Sequence, residues 1–192
     1  MEEKIRLFLD FDGVIVNTIR AIVDMYKEDF CAYSDYEDID WSEINSWEFT
    51  ELKAATPEYI DHYFNQPRFF EKVQWMPWAR ETIDKLKDIC DITIVSSGFS
   101  PNLRLKEKWV KDNMPYADFI GVNFKQNKDK SSVDMSGGIF IDDCFSNLST
   151  SNASICVCFG DIYPWNEQWN GIRCANWCDV WKMFKERDNA RV

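Results

Sequence analysis

Histidine is almost missing from this chain: His62 is the single one in 192 residues. A multi-histidine metal centre is therefore impossible, and a Ser-His-Asp triad would depend wholly on that residue. No apolar run approaches the ~20 residues that span a bilayer, and Met1-Glu2-Glu3-Lys4-Ile5-Arg6 fits neither a signal peptide nor a transit peptide. The expectation is a cytoplasmic protein with no membrane partner. Positive charge is also scarce, with 22 Lys plus Arg against 33 Asp plus Glu and a formal net charge of -11. Such a field repels a nucleic acid backbone at long range, so no nucleic acid polymer is expected as a partner. A local cluster of cations, amides or a metal ion can reverse it over a few ångströms, which leaves small anionic ligands open. The seven cysteines are odd in number and accompany no export signal, so reduced thiols are the default. Internal repeats and low-complexity segments are absent as well.

What is present suits a folded core: 45% of residues are hydrophobic and 16% aromatic, enough for one or two modest domains. Lys4 to Leu9 reads as a buried strand that ends at the turn-forming Asp12-Gly13. From Thr18 to about Cys31, Ile19, Ile22, Val23, Tyr26 and Phe30 recur at helical spacing. Residues 32–76 then change character, with an acidic stretch at 35–40 followed by a region dense in aromatics. A plain βα crossover returns within about 30 residues, so the extra length is expected to form a small helical cap. Alternation resumes with a helix after Pro77 whose apolar face carries Ala79, Ile83, Leu86 and Ile89. Strands follow at Ile92–Val95, 119–124, 138–141 and 154–159, with helices at 102–113 and around 180–185. This order predicts a doubly wound parallel sheet with helices on both faces. The core is expected to be 1–17 with 77–192, and the cap 18–76.

Ligands in such sheets bind at the carboxyl ends of the strands, where this sequence places Asp10 and Asp12, Ser96 and Ser97, and Asp142 and Asp143, with Lys130 in the loop before the last pair. Asp10 and Asp12, two apart, point the same way. Carboxylates converging in one crevice repel unless a cation joins them, and oxygen-only ligands suit Mg²⁺ better than zinc. Ser96 and Lys130 have the chemistry to hold phosphoryl oxygens. The constellation reads as a phosphoryl-transfer site.

Four segments, Asp10-Phe11-Asp12-Gly13-Val14, Ile92 to Gly98, Lys130, and Phe140-Ile141-Asp142-Asp143, resemble in order the motifs of the haloacid dehalogenase-like (HAD) phosphatases. Arg68-Phe69-Phe70, Pro77 and its helix, Asp129-Lys130, Tyr163-Pro164-Trp165-Asn166 and Asn176-Trp177 are similar to the 5'(3')-deoxyribonucleotidases within that superfamily. Ser96-Ser97-Gly98 stands where many such nucleotidases carry Thr-Ser-Pro. The resemblance implies a Mg²⁺-dependent phosphomonoesterase acting on deoxynucleoside monophosphates. Asp10 would be the nucleophile and Asp12 the general acid and base. Asp10, the Asp12 carbonyl and Asp143 would bind the metal, with Asp142 either sharing that role or orienting a metal-bound water. Ser96, Ser97 and Lys130 would bind the phosphate, and Phe69 and Phe70 the base.

Each of these has a plainer reading. Asp12-Gly13 and Ser96-Ser97-Gly98 are ordinary turn material, while Lys125 and Lys128 are solvated alternatives to Lys130. Phe69, Phe70, Trp47, Trp75 and Trp78 can line a nucleobase slot or simply form cap core. Cys156, Cys158, Cys174 and Cys178 lack the usual zinc spacing and read as structural thiols. His62 reads as a cap residue. Other small phosphate esters, polynucleotide ends and a non-catalytic nucleotide-binding role are the alternatives. A dehalogenase would need neither Asp12 nor a metal.

Overall fold

In the computed structural model, residues 4–189 are described, so Met1–Glu3 of the opening stretch lie outside the described residues. Strands β1 (Ile5–Leu9), β2 (Cys90–Gly98), β3 (Asp118–Asn123), β4 (Ile139–Asp142), β5 (Ile155–Phe159) and β6 (Ile172–Cys174) form one parallel sheet in the order β3-β2-β1-β4-β5-β6. Alternation along the strands sorts the core into two layers. Leu7, Leu9, Ile92, Ile94, Ile139, Ile141, Val157 and Phe159 face one side. There they pack on Ala79, Ile83 and Leu86 of α4 (Ala79–Leu86), Trp109 and Val110 of α5 (Ser100–Asn113), and Trp177, Val180 and Phe184 of α7 (Trp177–Asn189). Phe8, Val95, Phe140 and Cys158 face the other side, against Leu148 of α6 (Phe145–Thr150) and the loop residues Val133 and Met135.

Between β1 and β2 the chain builds α1 (Thr18–Phe30), a 3₁₀ turn (Trp41–Glu43), α2 (Pro57–Tyr63), α3 (Pro67–Lys72) and then α4. The side chain of Asn17 caps α1 by accepting from the Arg20 amide at 3.0 Å. Its apolar stripe, Ile22, Met25, Tyr26 and Phe30, joins Ile44, Phe49, Leu52, Ile60, Tyr63 and Phe69 in a separate cluster. Phe70 and Val73 touch both this cluster and the sheet core. Arg68 spans back to Asp29 of α1, which also accepts from Tyr63 at 2.8 Å. Those donors hold the Asp29 carboxyl below its ordinary range, Arg68 contributing most.

Strand β6 and helix α6 are additional to the elements expected from the sequence, and α4 is shorter than its apolar spacing predicts: Ile89 lies beyond it and is 43% exposed. Helices α5 and α7 also begin earlier than expected, at Ser100 and Trp177.

Candidate active site

The chain runs β1, β2, β3 outward on one side and then returns to place β4 beside β1, which makes the β1/β4 boundary the switch point of the sheet. Asp10 follows β1 directly, its amide bonded to Ile141 O at 2.9 Å, and Asp142 ends β4. Ligand oxygens of Asp10, Asp142 and Asp143 lie within 4.8 Å of one another. The turn after Asp10 is fixed by Gly13, whose φ of +69° and closeness to Asp143 both exclude a side chain. A Cβ there would lie 2.7 Å from Asp143 Oδ2.

Two buried lysines neutralise part of this cluster. Lys130, 1% exposed, donates to Asp10 Oδ1 and to Asp142 Oδ2, both at 2.6 Å. Lys106, also 1% exposed, pairs with Asp12 and donates to Ser96 Oγ at 2.9 Å and Ser97 O at 3.1 Å. Asp12 is held on its other oxygen by Thr18 Oγ1 at 2.7 Å. Asp142 accepts from the Cys144 amide at 2.8 Å and from Asn147 at 3.2 Å.

Burial pushes the Asp10 carboxyl up to about 7; Lys130 opposes this, and Asp142 and Asp12 add to it. Burial, with Asp142 and Asp10 beside it, also drives Asp143 well above the ordinary range. For Lys130 burial acts against the charge, yet Asp10 and Asp142 prevail and hold it above its usual value. With all four carboxylates ionised, the two ammonium groups leave a formal charge of −2. An all-oxygen donor set with that residual charge fits a hard divalent cation.

A cavity of about 660 Å³ opens over these groups. Its core wall carries Asp10, Asp12, Ser97, Lys106, Lys130, Asp143 and Asn147; α2 and its flanks contribute Trp47, Glu58, Asp61, His62, Phe64 and Asn65. Ser97 Oγ is buried on this wall without a hydrogen-bond partner among the described residues. The adjacent Ser96, fully buried, turns to Lys106 and does not line the cavity.

Phe69 and Phe70 require a correction. Phe69 is buried in the α1–α3 cluster and Phe70 packs between the two clusters; neither lines the cavity, because that face of α3 supplies cap core. Nor do Trp75, whose ring packs tilted against Trp109, and Trp78, which is 62% exposed. Of the expected aromatics Trp47 reaches the cavity, joined by Phe64, Phe99 and Phe124. Cys156 and Cys158 lie in β5, Cys174 ends β6, and Cys178 is exposed on α7. Lys128 and His62 line the cavity mouth. Lys106 went unnoticed in the sequence. Its signal was a lysine in helical register with Leu103, Trp109 and Val110, a face where an unpaired charge would be costly.

The parallel sheet with acidic residues at its switch point and helices inserted between β1 and β2 is a fold seen in HAD-superfamily hydrolases. Solved structures share it: a HAD family hydrolase from Deinococcus radiodurans R1 with bound phosphate and sodium (TM-score 0.63, 13% identity, 94% of this chain and 95% of that one) and a HAD-superfamily hydrolase, subfamily IA, variant 1, from Geobacter sulfurreducens PCA (TM-score 0.58, 10% identity, 94% and 100%). The chain belongs to the family described as 5' nucleotidase, deoxy (pyrimidine), cytosolic type C, whose model matches residues 3–189. It is a phosphomonoesterase of the 5'-nucleotidase type. It is also 27% identical over 146 residues to a 5'(3')-deoxyribonucleotidase of Clostridium acetobutylicum, covering 76% of each chain. Among the described residues no helix is long and apolar enough to cross a membrane.

Proposed function

We propose that the protein hydrolyses deoxynucleoside monophosphates through a phosphoryl group carried on Asp10. The observation that carries this reading is the meeting of Asp10, Asp142 and Asp143 at the sheet's switch point, beneath a cavity with aromatic walls. Asp10, Asp142 and Asp143, with the Asp12 carbonyl, would hold Mg²⁺, which when bound neutralises charge on the phosphoryl oxygens.

Asp10 attacks phosphorus, forming a carboxylate O–P bond as the ester P–O bond breaks. Asp12 acts as the general acid, passing a proton to the departing alkoxide. It then takes a proton from water as the hydroxide forms its bond to phosphorus, and the Asp10–P bond breaks to release phosphate. Lys106 and Thr18 hold Asp12 in place through both transfers. Lys130 offsets charge on Asp10, and the free hydroxyl of Ser97 has room to donate to a phosphoryl oxygen. In this reading 18–76 is a cap domain over the core formed by 1–17 and 77–192, and its wall of the cavity meets the leaving group.

Phosphate release measured over deoxynucleoside monophosphates, sugar phosphates and 5'-phosphorylated oligonucleotides, with and without Mg²⁺, tests the proposal. Mg²⁺-dependent release from the nucleotides is expected, falling by roughly 10⁴-fold or more in Asp10→Asn. Equal turnover by Asp10→Asn removes the nucleophile, and indifference to the base removes the nucleotide.

A further inference from the structure

Trp165 occupies a junction that the chemistry above leaves unused. It lies in the loop between β5 and β6, which is tied down by Asn166, a fully buried residue. Asn166 Oδ1 accepts from the Tyr163 amide at 3.1 Å and from Arg173 at 3.3 Å, and its Nδ2 donates to Asp161 O at 3.1 Å. Tyr163 and Trp165 then stack with ring centroids 4.3 Å apart and planes within 4°. The indole is thus fixed before it meets anything else.

Three contacts converge on it. Its carbonyl accepts from the amide of Phe145, first residue of α6, at 3.1 Å. Its Nε1–H donates to Asp143 Oδ2 at 3.1 Å. Its ring lies 5.5 Å from that of Trp47, which comes from the segment between α1 and α2. A single residue therefore grips the Asp143–Phe145 turn by main chain and side chain while touching the opposite wall of the cavity.

The chemistry of indole suits this position. It is a donor only, so it fixes a carboxylate oxygen but ligates no cation, and being neutral it does not compete electrostatically with one. Asp143 Oδ2 is confined between that N–H and Gly13, and among the described residues no donor meets Oδ1. We propose that Trp165 is a positioning residue. It holds Oδ2 of Asp143 so that Oδ1 faces the divalent cation, and its contact with Trp47 makes this hold depend on how the α1–α3 unit is seated. The proposal rests on the reading that Asp10, Asp142 and Asp143 bind Mg²⁺.

The test is calorimetric titration of the full chain with Mg²⁺ in the absence of substrate. Wild-type protein is expected to bind Mg²⁺, and Trp165→Phe, which keeps a stacking ring but loses the N–H, to bind it about tenfold or more weakly. At saturating Mg²⁺ the variant's kcat should recover to within about threefold of wild type, because the ligands themselves are intact. Trp47→Ala should weaken Mg²⁺ binding by roughly threefold, and by less in the Trp165→Phe background, the non-additivity of groups that act through one another. A Trp165→Phe dissociation constant within about twofold of wild type overturns the positioning role, since partners of this kind typically matter more. Strict additivity overturns the dependence on Trp47. Should Trp165→Phe not fold, Trp47→Ala decides, because it leaves the donor in place and removes its support; an unchanged constant then counts against the proposal. Failure of the wild-type protein to bind Mg²⁺ would instead remove the functional reading beneath it.

Discussion

The two walls of the cavity are built on opposite terms. On the sheet side Asp10, Lys130 and Lys106 line the cavity with Asp142 and Ser96 behind them; all are nearly inaccessible, and each is bonded to another. On the α2 side Glu58, Asp61 and His62 face solvent, and Asn65 Oδ1 has no partner among the described residues. Partial burial and Glu58 push the Asp61 carboxyl above its usual range, whereas on the sheet side full burial acts far more strongly. The contrast separates two tasks. Groups that must already be oriented when charge develops are locked by their neighbours. Groups that meet a leaving group retain freedom to exchange water for it.

The largest expected break in that contrast is Lys130→Met. It leaves Asp10 and Asp142 buried without their shared cation, so phosphate release should vanish and stability should fall by about 3–5 kcal/mol in urea denaturation. The same change at exposed Lys128 should alter stability by no more than about 0.5 kcal/mol. Matching losses at the two sites would erase the distinction between the walls. Next is Lys106→Met, which frees Asp12 and Ser96; kcat is expected to drop roughly 100-fold, in line with losing an aligned acid and base, with a smaller change in KM.

Proton linkage sharpens the comparison further. Without a cation the folded protein keeps protons on Asp10, raised to about 7, and on Asp143, raised likewise, at pH values where the unfolded chain has released them. These two groups therefore stabilise the metal-free fold at the acid end; the Asp10 contribution is lost as pH rises through about 7, and that of Asp143 as pH passes its own raised value. A cation must displace the same protons, so Mg²⁺ affinity should rise with pH through about 7, where Asp10 releases its proton. Melting curves with and without Mg²⁺ should diverge as pH increases, and parallel curves would contradict the placement of the ion. The smallest effect belongs to the mouth. Phe99 and Phe124, each 50% exposed and edge-to-face at 5.7 Å, line the cavity. Phe124→Ala should raise KM for a nucleotide about tenfold with little change in kcat, the scale of one lost stacking contact.

Much of the sheet side was legible in the sequence, because a carboxylate ending an apolar strand has few structural uses and so declares its site. Asp10, Asp12, Asp142 and Asp143 stand out in this way, and Lys130 by its place beside Asp129 shortly before Asp142; the structure brings these side chains together. Of the serine pair the sequence favours Ser96 as the phosphate hydroxyl, whereas Ser97 faces the cavity: neighbours on a strand point to opposite faces, and the facing depends on a register that a sequence does not print. Phe69 and Phe70 misled because an aromatic side chain satisfies a core and a binding wall by the same burial. Strand β6 escaped because three residues carry no measurable alternation. Lys106 escaped for want of a burial estimate, since a lysine within a helix is usually solvated.

The hydrogen bonds from Asn17 N to Gln74 O and from Met76 N to Ile15 O, both 2.8 Å, and the antiparallel bridge between Val16 and Trp75 join the outgoing and returning passages of the chain side by side. Two passages bonded in this manner bend as one ribbon. The helices between them therefore leave and rejoin the core at one place, a few residues from Asp12, so any change in how they are seated is felt beside the active site.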